Sequence, residues 1–201
     1  TLRPISRMAP GNTPIHQLKS PQILLRILKS LPCDTAKIKQ LLLAKNHLGD
    51  TPLHNNYMCG EDLIGIHELI GIDVMSHIWS VQNSKGNTIF HQYIQGPDVG
   101  YPCTKEHIVI QLLSNLNGRN RAEDKSDFLL LVNRKEQILL HVLLDLGRFD
   151  ADTGRARVPP MLDFLEAVND TRICHQLLTQ QDQYGEPPLR IISKNYQHQV
   201  L

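Results

Sequence analysis

Five stretches of this chain follow one pattern, and a recurring pattern limits the fold more than any single residue can. GNTPIH occupies Gly11 to His16, NHLGDTPLH Asn46 to His54, and NSKGNTIFH Asn83 to His91. NRKEQILLH occupies Asn133 to His141, and DQYGEPPLR Asp182 to Arg190. The template is Asn or Asp, two variable residues, Gly, a small polar residue, Thr, Pro, an apolar residue and His. It decays in the fourth and fifth copies. Its last position falls at 16, 54, 91, 141 and 190, so the intervals are 38, 37, 50 and 49 residues. Self-similarity at roughly 20–50 residues is the mark of stacked units, each burying its apolar face against its neighbours.

Each template position has a physical reason. Asn or Asp followed by Gly suits a tight turn, because these residues tolerate positive φ. Thr then stands where a helix N-cap belongs, and Pro follows at the first helical position, where its missing N–H leaves nothing unsatisfied. TPLH therefore reads as the start of a helix, and the stretch as a structural corner. A histidine present in four of the five copies reads as a fastener between adjacent units rather than as a set of catalytic bases.

Composition agrees with helices. Hydrophobic residues make up 41% and aromatics 5%, so the core is built mainly from Leu and Ile, whereas a β-sandwich would be enriched in Val, Tyr, Phe and Trp. Net charge is +1 and no long run of Lys or Arg exists, which disfavours a phosphate-tracking surface and hence nucleic-acid binding. No apolar stretch approaches the roughly 20 residues that span a bilayer, so membrane insertion is not expected. Cys33, Cys59, Cys103 and Cys174 form no CxxC pair and lack zinc-finger spacing to His; they read as reduced thiols of an intracellular protein. The chain opens on Thr1 without a secretory signal, and a piece of a longer protein is expected.

The repeated residues resemble the ankyrin repeat, whose hallmark is Gly-x-Thr-Pro-Leu-His at about 33 residues per unit. GDTPLH from Gly49 to His54 matches in full, GNTPIH nearly so; GNTIFH keeps Gly86, Thr88 and His91, and EQILLH keeps the apolar pair and His141. The chain departs from that family in its longer periods and in QLK, NNY and QYI, which replace the small-residue pair after the histidine. Its units are also longer. PQILLRILKSLPCDTAKIKQLLLAKN holds two apolar helical stretches: Ile23, Leu24, Ile27, Leu28 and Leu31, then Ile38, Leu41, Leu42 and Ala44 after an N-cap at Asp34. This elongated form is similar to the divergent ankyrin repeats of effectors that intracellular bacterial pathogens inject into host cells. The resemblance implies an all-α helical repeat solenoid of about five helix-turn-helix units with insertions. Residues 1–201 are then one ankyrin-like repeat domain, with units at about 8–45, 46–82, 83–132, 133–181 and 182–201.

Within the second unit, Leu63, Ile66, Ile70, Val74 and Ile78 keep helical spacing, while Gly65 and Gly71 weaken it and mark a break. Polar stretches at 117–127 and 147–160, and the turn-rich 96–103, read as surface loops or linkers.

Chemistry-bearing motifs are sparse. His67 and Glu68 begin an HExxH pattern, but Gly71 stands where its second His belongs. Cys174 and His175 are sequence neighbours, which point in different directions on a helix. Asp150 and Asp152 with Arg148, Arg155 and Arg157 lack the ligand spacing of a calcium loop. No Walker A, GxGxxG or GxSxG motif occurs. No catalytic residue, metal or cofactor is assigned, and the chain is not expected to be an enzyme.

Repeat solenoids present an extended concave surface built from successive turn tips and first-helix faces, and recognition is expected through that concave face. The expected function is a protein-protein recognition module of a secreted effector acting in the host cytoplasm, engaging a host protein as a monomer. The alternative is a substrate-positioning scaffold for an effector enzyme whose catalytic domain lies outside this chain. The binding positions are the variable tip pairs His47 and Leu48, Ser84 and Lys85, Arg134 and Lys135, and Gln183 and Tyr184. The residue after the template's last position adds Gln17, Asn55, Gln92 and Val142. Leu48, Arg134 and Tyr184 are the expected anchors. Motif decay predicts that the C-terminal copies are looser than the first three, unless the insertions add contacts.

Overall fold

A computed structural model describes residues 11–18, 20–31, 34–55, 60–96, 109–111, 113–114, 128–146 and 161–197. The stretches at 117–127 and 147–160, residues 97–103, and Cys33, Cys59 and Cys103 lie outside the described residues. Among the described residues every regular element is a helix, so the all-α expectation holds. A 3-10 turn covers Pro14–Gln17, followed by α1 (Pro21–Ser30), α2 (Thr35–Leu43), α3 (Pro52–Asn55), α4 (Gly60–Ile70), α5 (Ile72–Ser80) and α6 (Ile89–Gln95). Then come α7 (Leu139–Leu146), α8 (Met161–Val168), α9 (Thr171–Thr179) and α10 (Pro188–Gln197).

Local chemistry sets the helix starts. Pro14, Pro52 and Pro188 each open a helix. Asp34 caps α2 by accepting the Lys37 N–H at 2.9 Å, and Asp170 caps α9 by accepting the Ile173 N–H at 2.9 Å. Gly71, at φ +81, separates α4 from α5. Gly65 stays inside α4, where a Cβ would stand 2.6 Å from Leu25 Cδ2. The missing side chain thus lets α4 approach α1, and only Gly71 breaks the helix.

Two layers result. The helices that begin at the template stack in chain order: the Pro14–Gln17 turn on α3, α3 on α6, α6 on α7, and α7 on α10. Behind them α1 and α2 pack on α4, α2 also on α5, and α8 on α9. The apolar core runs between the layers from Leu24, Leu28 and Leu42 through Ile66, Met75 and Ile78 to Phe164 and Leu177. Trp79 anchors its middle, with ring centroids 5.9 Å from Phe90 and 5.3 Å from Phe128. Ile23 departs from its apolar stretch: it is 50% exposed on α1, while Leu24 and Leu28 turn inward.

Candidate functional site

The turns before the stacked helices share one geometry. In each of the last four copies the side-chain oxygen of the first residue accepts two backbone N–H groups. Asn46 Oδ1 accepts from Leu48 (2.9 Å) and Asp50 (3.0 Å), and Asn83 Oδ1 from Lys85 (2.9 Å) and Asn87 (3.0 Å). Asn133 Oδ1 accepts from Lys135 (2.8 Å) and Gln137 (3.1 Å), and Asp182 Oδ1 from Tyr184 (2.9 Å) and Glu186 (3.0 Å). The same residues close each turn through the backbone, as in Asn46 N–H to Asp50 O at 3.0 Å. These carboxamides and carboxylates stand in for a backbone turn partner.

Each turn is tied to the one before it. The Ser84 N–H donates to Leu48 O (3.0 Å), the Arg134 N–H to Lys85 O (3.0 Å), and the Gln183 N–H to Lys135 O (3.1 Å). The Ser84 hydroxyl also donates to Leu48 O. Gly49 and Gly86 sit at these joints with φ +71 and +73, and a Cβ on either would meet the next turn's backbone at 2.8 and 3.0 Å. Glu136 fills the glycine position of the fourth copy at φ +57.

The histidines join the units from beneath. His16 Nε2 lies 3.0 Å from Asp50 O, His54 Nε2 3.0 Å from Asn87 O, His91 Nε2 3.1 Å from Gln137 O, and His141 Nε2 3.0 Å from Glu186 O. Their Nδ1 atoms accept backbone N–H groups of Thr13, Thr51, Thr88 and Ile138. That network assigns the proton to Nε2, which donates to the next unit's carbonyl. Burial in turn disfavours the charged ring. Desolvation lowers the pKa of His54 and of His141, each partly offset by the accepting carbonyl, and lowers that of His91 to about 4. Imidazoles bonded at both ring nitrogens in this way fasten one unit to the next.

The sequence-predicted tip residues come together on one edge. His47, Leu48, Ser84, Lys85, Arg134, Lys135, Gln183 and Tyr184 are all exposed, Leu48 by 57% and Tyr184 by 77%. The second row is mixed. Gln17 is exposed, and Asn55 and Gln92 are half-buried, with Gln92 Oε1 within 3.5 Å of Asn87 Nδ2. Val142 is a correction: it is 3% exposed, because α7 (LLHVLLDL) is apolar nearly all round and lies between α6 and α10. Glu136 and Gln137 escaped sequence reasoning. Gln137 accepts His91 through its backbone carbonyl, and its side chain donates to Asp145 Oδ2 at 3.0 Å; the register of the template was the signal that pointed to it.

Elsewhere, chemistry-bearing groups are taken up by packing. His67 is buried with its ring stacked on Trp79, centroids 6.4 Å apart, while Glu68 is exposed. Burial raises the Cys174 thiol pKa, the opposite of what a thiolate nucleophile needs. Among the described residues, an open depression of about 330 Å³ is lined by Leu130, Gln176, Thr179, Gln180 and Gln181, none of them ionisable. No helix among the described residues is long and apolar enough to cross a membrane. No family model matches the chain, and no curated protein matches it.

Proposed function

We propose that the chain is an ankyrin-like repeat solenoid that recognises another protein through its row of turn tips, as a module of an effector acting on a host-cell partner. One observation carries this reading. The frame is held by backbone groups, by the first residue of each turn and by the histidines, so the side chains at the two variable tip positions are nearly all left out of it. Positions that the fold does not use, arranged in a row and exposed, are free to be set by a partner. The resemblance to pathogen effectors supports the choice of a host protein.

The test is affinity capture from host-cell lysate with quantitative mass spectrometry, comparing wild type with the Leu48→Ala, Arg134→Ala, Tyr184→Ala triple variant. A protein enriched by wild type and depleted at least tenfold with the variant, at unchanged helical circular dichroism, is the expected result. Equal capture by both would remove the tip row from the function.

A further inference from the structure

We propose that the tip row binds an extended acidic peptide segment of about nine residues that carries an apolar side chain towards each end. This rests on the recognition reading above and names the chemistry of its partner. Lys85, Arg134 and Lys135 occupy two consecutive tips, joined by the 3.0 Å bond from the Arg134 N–H to Lys85 O. All three side chains are exposed, and none makes an ion pair or side-chain hydrogen bond among the described residues. The chain has 21 basic side chains and 20 acidic ones, so three uncommitted cations on adjacent tips are a local excess. Glu136 follows directly on Lys135 and is exposed; of the other carboxylates in these turns, Asp50 and Asp182 are buried and Glu186 is paired with Arg190 and Lys194.

Apolar groups bracket this basic centre. Leu48 stands on the tip before it, 57% exposed, and Tyr184 on the tip after it, 77% exposed. The spacing follows from the stacked helices behind the tips, since packed helix axes lie ~10 Å apart. Leu48 and Tyr184 occupy the same position three tips apart, about 30 Å at that spacing. An extended peptide advances ~3.3 Å per residue, so about nine residues reach from one anchor to the other. Carboxylates at its centre would face Lys85, Arg134 and Lys135, and Arg134 can hold one in bidentate fashion. A nucleic acid fits less well: its affinity grows with the number of phosphates neutralised, and here three cations share the row with Glu136 and two apolar anchors.

Fluorescence polarisation tests this with a labelled nonapeptide that has Leu and Phe at its ends and five Asp or Glu residues between them. Wild type is expected to bind it, and binding should weaken about tenfold in a Lys85→Ala, Arg134→Ala, Lys135→Ala variant. A similar loss is expected between about 50 and about 500 mM NaCl, because exposed pairs are screened. Leu48→Ser with Tyr184→Ser should weaken binding at all salt concentrations, and Glu136→Gln should tighten it. Reversing the three cations to Glu should transfer binding to the same peptide with Lys at its centre, which also shows that the substituted surface is intact. Absence of binding, equal binding by the triple alanine variant, or tighter binding of a single-stranded oligonucleotide would overturn the proposal. Loss of the lysate partner in the Leu48, Arg134 and Tyr184 variant, without peptide binding, would leave the recognition reading standing and remove only the acidic peptide.

Discussion

Acidification from about pH 7 to about pH 4 should remove roughly 3 kcal/mol of stability through His91 alone. The ring is fully buried, its Nδ1 accepts the Thr88 N–H, and its Nε2 donates to Gln137 O of the next unit. Protonation would place a charge in that dry site, end the bond from the Thr88 N–H to Nδ1, and require the Thr88 hydroxyl, 2.8 Å from Nδ1, to turn from donor to acceptor. Desolvation accordingly lowers the pKa from 6.5 to about 4. The sign follows from proton counting. Between about pH 4 and 6.5 the unfolded chain holds a proton at this position that the folded chain excludes, so stability falls as pH falls through that window. Above 6.5 both states are neutral and the residue adds no pH dependence; below about 4 both are charged and its share is already lost. Each pH unit inside the window is worth ~1.4 kcal/mol, which gives the total. His54 and His141, whose pKa values are lowered for the same reason, act in the same direction.

Urea unfolding at a series of pH values measures this, with the fluorescence of Trp79 as the probe. It is the one tryptophan of the chain, and its ring lies 5.9 Å from that of Phe90, the neighbour of His91. His91→Gln is the comparison. Its amide can still donate to Gln137 O but does not titrate, so the variant should be less stable near neutrality and lose less on acidification, the two curves converging by about 3 kcal/mol at pH 4. Parallel curves, within about 1 kcal/mol across the range, would show that His91 titrates normally and refute the burial argument.

Glu136→Gly should raise stability by about 1 kcal/mol, since it relieves a side chain held at φ +57; an unchanged urea midpoint would mean that the fourth turn carries no strain. Gly86→Ala and Gly185→Ala share φ +73, but a Cβ would meet the Arg134 N and Asn133 Cα at 3.0 Å in the first and nothing within 4 Å in the second. The first should therefore lower the thermal midpoint more than the second, and equal losses would show that the joint between tips is open.

Much of this frame can be read from sequence because its chemistry is local. Asn at the first turn position, Pro at the first helical position and Asp34 before α2 act within about four residues, and all are found in those roles. The histidine could be read as a fastener, since its Nδ1 partner lies three residues upstream; its carbonyl partner, 33 to 46 residues on, could not. The pairing of one tip with the next depends on how the units stack, and no local signal encodes that. Val142 shows how a template misleads: its position is a surface position in the first copy, but two packed neighbours bury it in the fourth. Glu136 shows how much a turn tolerates. With Asn133 accepting two N–H groups, the loss of glycine at the joint is a penalty of about 1 kcal/mol and not a break.

The same contrast locates the weakest of the described turns. The motif loses Pro at the third copy and Thr and Gly as well at the fourth, and that alone predicts loosening from Asn133 onwards. The bonds tell otherwise. The fourth copy keeps its Asn turn, its tie from Arg134 to Lys85, and the His141 bond to Glu186 at 3.0 Å. The change comes at the fifth, where Arg190 replaces the histidine and turns back to Glu186 of its own unit at 3.3 Å. Leu189 is 54% exposed there, against 3%, 2% and 1% for Leu53, Phe90 and Leu140 at the same template position. Among the described residues the fifth copy makes no bond of the kind that each of the four histidines makes to the next unit, and a deficit of ~1.4 kcal/mol already speeds local opening tenfold. Native-state hydrogen exchange should therefore find the Lys135 and Gln137 amides as protected as those of Lys85 and Asn87, with the Tyr184 and Glu186 amides at least tenfold faster. If the fourth turn exchanges with the fifth, the template residues themselves stabilise the unit, and the hydrogen bonds that outlast them do not.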